Sequence, residues 1–374
     1  MHILISINSS WNVMNFRRHL IFSLLADGHE LTILAPREPE AADLEAMGCR
    51  VVHLDMDRKG LSPLRDLRLL WSFFVLFRRF SPNAILSFTI KNNIYGAFAS
   101  RAAGVPFLPN VTGLGTIFLQ NSWVTRLAIW LYRRAFRSLP LVFFQNSDDR
   151  DLFVEKRIVA EPQSRILPGS GIDLDHFVPT PLPDGTETTF LLIGRMLRDK
   201  GVHEYVDAAR SLRRKGHAAR FQLLGFLDAD NRTAIGRKIM DGWVGEGIVE
   251  YLGSASDVRD AIRNADCIVL PSYREGTPRT LLEGAAMARP LVATDVPGCR
   301  QVVDDGVNGF LCRVQDADDL ASAMEKMIAA GPRGRELMGA AGRARMMRDY
   351  DQNIVVAAYR AAIDRISPPS VRRR

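Results

Sequence analysis

Short apolar runs alternate with helical stretches along this chain, and the alternation is run through twice. HILISI opens it, a helical pattern follows through Leu20, Leu24 and Leu25, and GHELTILA reads as the next strand. The polar run SSWNVMNF between that first strand and helix reads as a loop. CRVVHLDM, PNAILSF, LVFFQN and RILPG continue the series, with a helix over residues 64–80. Strands this short and this apolar are buried on both faces. A parallel neighbour needs a crossover, and the intervening helices supply it, so both sheets are expected to be parallel.

Residues 179–189, PTPLPDGTETT, break the pattern and read as a linker. The alternation then restarts with TFLLIG, a helix over 202–215, ARFQLLG, VEYLG, a helix over 257–264, CIVLP, PLVAT and GFLC. A chain of 374 residues exceeds one ordinary core. The reading is therefore two α/β domains, 1–178 and 190–349, followed by a helix over 350–366 that stops before Pro368 and Pro369. The final SVRRR reads as a loose basic tail. A Rossmann dehydrogenase is disfavoured, because no G-x-G-x-x-G follows the first strand.

Three segments of the second half form a phosphate-site pattern. GRMLRDKG, 194–201, follows a strand, and its Arg195 and Lys200 can converge on an anion; a plain solvated loop explains this piece alone equally well. In PSYREGTPRTLLE, 271–283, Thr277 is the expected N-cap with Pro278 at the first helical position. The N–H groups of Arg279, Thr280 and Leu281 would then point out of a helix start that attracts anions. Glu275 precedes that helix and Glu283 lies inside it, so both carboxylates can accept from hydroxyls of one ligand. In VATDVPGCRQVVDDGVNGFL, 292–311, turns are set at Pro297-Gly298 and at Gly306 and Gly309.

In order and spacing these segments resemble the retaining group 1 glycosyltransferases of the GT-B fold. The resemblance implies two Rossmann-like domains whose parallel sheets face an interdomain cleft, with the terminal helix crossing back to the first domain. It implies that Arg195 and Lys200 bind the donor diphosphate and stabilise its departing charge, that Glu275 contacts the transferred sugar, and that Glu283 contacts ribose hydroxyls. Main-chain groups of Gly276, Thr277 and the helix start would contact sugar and phosphate. Pro278 has no N–H, so donors must come from its neighbours. The nucleotide's base is expected near Gly225, Ser254 and Ala255, while neither a nucleophile nor a general base is read. The pairs Asp55/Asp57, Asp173/Asp175, Asp228/Asp230 and Asp316/Asp318 have D-x-D spacing, but four such pairs read as composition. No metal and no cofactor is expected.

The first half carries SWNVMNFRRHL, FTIKNNIYG and NVTGLGTIF. These resemble a branch that extends polyprenyl-diphosphate-linked sugars in surface polysaccharide or glycan assembly. By that similarity the donor is a UDP-sugar, an N-acetylhexosamine first. The acceptor is expected near Asn15, Phe16 and Arg17 where the first strand meets the first helix, near Lys91 at the next strand end, and near Thr112 and Gly113 of a TGLG loop. A nucleotide-sugar epimerase or hydrolase on the same fold is the alternative, and would need no lipid acceptor.

Charge points the same way. The net charge is +7, and residues 58–137 hold twelve Lys/Arg against one acid, Asp66. Such an excess calls for an anionic lipid, a nucleic acid or a phosphorylated substrate. Nucleic acid leaves Glu275 and Glu283 unexplained and is not expected. On a helical wheel Val124, Ala128, Leu131 and Ala135 form a small-residue core face. Trp123, Arg126, Trp130, Arg133 and Arg137 form another, as a helix on an anionic membrane surface requires. Cys49, Cys267, Cys299 and Cys312 have no zinc spacing, and neither a signal peptide nor a spanning helix is read. The expected place is cytoplasmic, peripheral on the inner face of the plasma membrane.

Overall fold

The computed structural model describes residues 1–56, 62–114, 123–227, 231 and 233–366. The chain forms two compact units, one of Met1–Ser170 joined by the chain from Gln352 onward, the other of Gly171–Asp351.

The first unit holds β1 (His2–Ser6), α1 (Ser10–Phe16), α2 (Arg18–Ala26), β2 (Glu30–Ala35), α3 (Ala41–Ala46), β3 (Arg50–His53), α4 (Pro63–Phe80), β4 (Ala84–Phe88), α5 (Ile90–Ala103), β5 (Phe107–Val111), α6 (Trp123–Phe136), β6 (Val142–Phe144), α7 (Ser147–Glu155) and β7 (Ser164–Ile166). Among the described residues its seven strands are all parallel, in the order β3-β2-β1-β4-β5-β6-β7. The order reverses at β1 and β4, where an open parallel sheet leaves a crevice beyond its strand ends. Successive residues of β1 serve opposite layers. Ile3 and Ile5 pack with α1 and α2, while Leu4 packs with α4, α5, α6 and α7.

The second unit holds β8 (Thr188–Ile193), α8 (Val202–Arg214), β9 (Ala219–Leu224), α9 (Arg237–Gly245), β10 (Glu250–Tyr251), α10 (Arg259–Arg263), β11 (Cys267–Leu270), α11 (Arg279–Ala286), β12 (Leu291–Thr294), β13 (Gly309–Cys312), α12 (Ala317–Ala329) and α13 (Gly331–Asp349). Its six strands among the described residues are also parallel, in the order β10-β9-β8-β11-β12-β13. Phe190 and Leu192 of β8 face α8, α9 and α12; Leu191 and Ile193 face α10 and α11. The last helix, α14 (Gln352–Ile366), buries Val355, Val356, Tyr359, Ala362 and Ile363 in the first unit's core, and its Arg360 pairs at 2.6 Å with Asp27, the residue that caps α2.

Three readings of the sequence are corrected. SSWNVMNF is mostly helix, because the Ser9 side chain accepts from the Asn12 N–H and starts α1. β5 passes unread because Pro109 usually marks a break; here the β5–β6 ladder begins only at Asn110, after the missing donor. The chain enters the second unit at Ser170–Gly171, ahead of the proline-rich stretch. That stretch is tied down by the fully buried Arg289, which donates to the Thr180 carbonyl at 2.7 Å, to the Thr180 hydroxyl at 2.8 Å and to the Pro181 carbonyl at 2.8 Å. Burial pushes the Arg289 guanidinium down to about 10, and carbonyl oxygens satisfy donors that would otherwise be buried unmet.

Candidate active site

In the second unit, the loops that follow β8, β11 and β12 are pressed together. Gly201 (φ 72°) sits where a Cβ would lie 2.1 Å from the Pro271 carbonyl oxygen. Gly298 (φ 82°) sits where one would lie 2.3 Å from that of Gly276 and 2.9 Å from that of Glu275. Both combine a left-handed backbone with a contact that excludes any side chain. The Tyr273 N–H donates to the Asp199 carbonyl at 2.9 Å, and the Thr294 hydroxyl donates to the Ser272 carbonyl. The Glu275 loop is thus held from both sides. Gly298→Ala is expected to push the Glu275–Gly276 carbonyls away and destabilise the unit by about 2 kcal/mol or more. A thermal melt with a nucleotide-binding titration checks this, and an unchanged melting temperature would refute the clamp.

Lys200 ends a 3-10 turn, Arg198–Lys200, and its Nζ donates to Glu275 Oε1. The two side chains are 24% and 13% exposed, so water screens the pair only partly. Arg195, on the same loop, is exposed. Four residues apart on α11, Arg279 donates from Nε to Glu283 Oε1 at 2.7 Å. Glu283 is buried, and burial holds its carboxyl above the ordinary range, opposed by Arg279 and helped by Asp257. Each carboxylate of the site is therefore paired with a cation of the site.

The helix start differs from the reading of its sequence. Pro278 itself is the cap, extended at ψ 110° and without a side-chain cap bond; α11 begins at Arg279, and Thr277 lies before the cap. The residue before a proline is pushed to extended backbone, which keeps Thr277 out of the helix. The N–H groups of Leu281 and Leu282 both turn back to the Pro278 carbonyl, at 3.1 and 3.3 Å. Leu281 is thereby removed from the outward donors expected of this helix start. The Arg279 guanidinium was not foreseen as a partner of Glu283, although their i,i+4 spacing was the signal for it. Beside this loop, the Gly225 N–H donates to the Gly253 carbonyl at 2.7 Å, and Ser254 and Ala255 are exposed.

The first unit gathers polar groups at its strand ends. Arg17, buried, lies 4.5 Å over the Phe88 ring; with the Gln145 amide turned to the orientation that satisfies both of its atoms, Gln145 accepts from Arg17 at 3.3 Å and donates to the Thr112 carbonyl at 3.2 Å. Gly113 follows with φ 131°; Gly115, later in the TGLG loop, lies outside the described residues. Asn110 donates to the Tyr359 hydroxyl at 2.8 Å, bringing α14 into this cluster, and Asn92 donates to Ser6 at 2.7 Å. No local pattern announced Tyr359, which lies 249 residues from Asn110. Three acceptor candidates are engaged elsewhere. Asn15 bonds back to the Trp11 carbonyl at 2.9 Å, Phe16 meets the Trp11 ring edge-on, and Lys91 pairs with Asp66 at 2.6 Å.

Trp123, Arg126, Trp130 and Arg133 on α6, and Arg137 just past its end, are all exposed. The buried face of α6 is Thr125, Tyr132, Ala135 and Phe136; Val124, Ala128 and Leu131 are only half-buried. The wheel reading missed this because Tyr132 and Phe136, stacked edge-on at 5.1 Å, are large enough to set the contact with the sheet. Arg133 also donates to the Lys156 carbonyl at 2.6 and 2.9 Å, closing the end of α7. Two of the D-x-D aspartates have local work: Asp173 accepts from the N–H groups of Asp175 and His176, and Asp316 caps α12. Asp57, Asp228 and Asp230 lie outside the described residues.

Comparison with known proteins adds two family models. "Glycosyl transferase 4-like domain" matches residues 15–169, and "Glycosyl transferases group 1" matches residues 187–330. The chain is 25% identical, over 95% of its length and 96% of the relative's, to the N,N'-diacetylbacillosaminyl-diphospho-undecaprenol alpha-1,3-N-acetylgalactosaminyltransferase of Campylobacter jejuni. It is 21% identical, over 72% of each chain, to the UDP-Gal:alpha-D-GlcNAc-diphosphoundecaprenol alpha-1,3-galactosyltransferase of Escherichia coli. Among solved structures, a glycosyltransferase of Rickettsia africae aligns with TM-score 0.80 at 17% identity, covering 99% of both chains. Anabaena HepE, crystallised with UDP, aligns with TM-score 0.80 at 18% identity, covering 98% of this chain and 100% of its own. These two carry the same two-sheet GT-B fold.

Proposed function

This chain belongs to the group 1 glycosyltransferases, and on that premise we propose that it moves an N-acetylhexosamine from a UDP-sugar to a polyprenyl-diphosphate-linked sugar, with retention at the anomeric carbon. The observation that carries the reading is the double pairing Lys200–Glu275 and Arg279–Glu283 at the start of α11. A nucleotide-diphosphate sugar offers that site its complement, phosphates for the cations and hydroxyls for the carboxylates. UDP is favoured because HepE was crystallised with UDP and with UDP-glucose. The lipid-linked acceptor is favoured because the Campylobacter and Escherichia relatives are named for undecaprenyl-diphosphate substrates.

In this reading Lys200, Arg195 and the start of α11 take up the charge of the leaving diphosphate, a task that needs no metal. Glu275 holds the transferred sugar and Glu283 the ribose. The acceptor meets the first unit around Arg17, Thr112 and Gly113. The protein works at the cytoplasmic face of the membrane, seated by α6. No helix among the described residues is long and apolar enough to cross a bilayer.

A panel of UDP-sugars offered with polyprenyl-diphosphate-sugar acceptors tests the reaction. Nucleotide release that depends on the acceptor, with an extended glycolipid of unchanged anomeric configuration, is the expected result; release that ignores the acceptor would mark a hydrolase. For the membrane seat, Trp123→Ala with Trp130→Ala is expected to lower binding to anionic vesicles about tenfold. Co-flotation equal to the native protein's would remove α6 from the seat.

A further inference from the structure

The exposed face of α4 is as unusual as that of α6. Leu64, Leu67, Trp71 and Val75 are 81%, 64%, 64% and 43% exposed. At 3.6 residues per turn they fall in one stripe together with the exposed Arg68 and Arg78. The opposite side of the helix buries Leu69, Phe73 and Phe77 in the core. A lone exposed leucine needs no explanation, but four large apolar side chains in register do.

The surroundings select the partner. Asp66 is the only acid in residues 58–137, and it is turned inward: one oxygen accepts from Lys91 at 2.6 Å and the other from Tyr95 at 2.8 Å. The outward face of α4 itself is apolar and cationic, with the exposed Asp55 after β3 the one other described acid beside Arg68, Trp71 and Val75. α4 and α6 also lie in the same layer, on the side of the sheet that Leu4 faces, and both pack against the largely buried α5 between them. Their outward faces therefore belong to one side of the unit. A second copy of the chain fits poorly, since a twofold contact through this face would set arginine against arginine. An anionic bilayer fits both halves of the pattern, with phosphates for the guanidinium groups and the acyl boundary for Trp71 and the leucines.

We infer that α4 is a second membrane-seating helix, so that α4 and α6 together set this side of the first unit on an anionic bilayer. This deepens the membrane reading of α6 and rests on it; the two helices are tested separately. In flotation with phosphatidylcholine vesicles, with and without phosphatidylglycerol, Leu67→Ser with Trp71→Ser should lower binding to the anionic vesicles about tenfold while Trp123 and Trp130 remain. Native-level binding would overturn the proposal. Transfer to a water-soluble acceptor should be unchanged in this variant, which separates loss of seating from loss of catalysis; flotation itself needs no activity, so it stands if the transferase reading fails.

A second measurement avoids dependence on the double variant. The four native cysteines are buried, so Leu67→Cys offers an exposed thiol for an environment-sensitive dye. Its emission should shift to the blue and be quenched by lipids carrying bromine near the headgroup. Phe22→Cys is the control: Phe22 is 64% exposed on α2, in the opposite layer, and its dye should not respond. No response at Leu67, equal response at both positions, or self-association through α4 in sedimentation without vesicle binding would each refute the inference.

Discussion

Glu275→Gln is expected to lower kcat about 100-fold while UDP binds at least as tightly as to the native protein. The two effects have opposite signs because, in the proposed role, Glu275 has two partners in turn. Without donor, its carboxylate holds Lys200. Two unit charges about 4 Å apart at a partly screened site attract by about 4 kcal/mol at an effective dielectric of 20, so a diphosphate that recruits Lys200 must first offset that attraction. Glutamine removes the charge and leaves Lys200 available to the phosphates. It also removes the anionic acceptor proposed for a hydroxyl of the transferred sugar, a contact that would matter most as positive charge develops at the anomeric carbon. Calorimetry with UDP and steady-state rates of nucleotide release read the two effects separately. A native kcat with weakened UDP binding would assign Glu275 to the nucleotide and reverse the roles proposed for the two acids.

Glu283→Ala should do the opposite: UDP-sugar affinity falls about 30-fold and kcat at saturation changes little. Glu283 is buried, and its removal takes away the acceptor proposed for ribose hydroxyls and leaves Arg279 without the carboxylate at 2.7 Å. The ionised form is the one that accepts from hydroxyls. Because burial raises its pKa from the ordinary 4.5, the native protein should lose donor affinity as the pH falls through a window above that value. Glu283→Gln should flatten that dependence. The same shift acts on folding with a fixed sign. Between 4.5 and the raised folded value the native state binds more protons at Glu283 than the unfolded state does, so this group's contribution to stability declines as the pH rises through the window. Donor affinity independent of pH down to the ordinary carboxylate range would show that Glu283 does not hold the ribose.

Much of this molecule was legible as pattern. Runs such as HILISI and CIVLP are too short and too uniformly apolar for anything but buried parallel strands, and each appears in the sheet its position implied. PSYREGTPRTLLE placed Glu275 before a helix and Glu283 within it, since Thr-Pro fixes a chain reversal to within a residue or two. Local chemistry reached no further than its own turn. It set the cap at Thr277 instead of Pro278, and it left unread that Leu281 turns its N–H inward.

Pairing was decided in three dimensions. Lys200 and Glu275 are 75 residues apart, and they meet because β8 and β11 are neighbours and glycines at 201 and 298 let the loops close on Glu275. Asp66 looked like one acid lost among cations until packing of α4 on α5 gave it to Lys91 and Tyr95. The proline-rich stretch read as a free linker until the buried Arg289 was seen to need its carbonyls. A pattern along the chain reports which residues must leave water, because burial is a property of each residue and its near neighbours. It does not report which charge meets which, because a salt bridge depends on two distant segments arriving within a few ångströms, and only strand order and close packing set that distance.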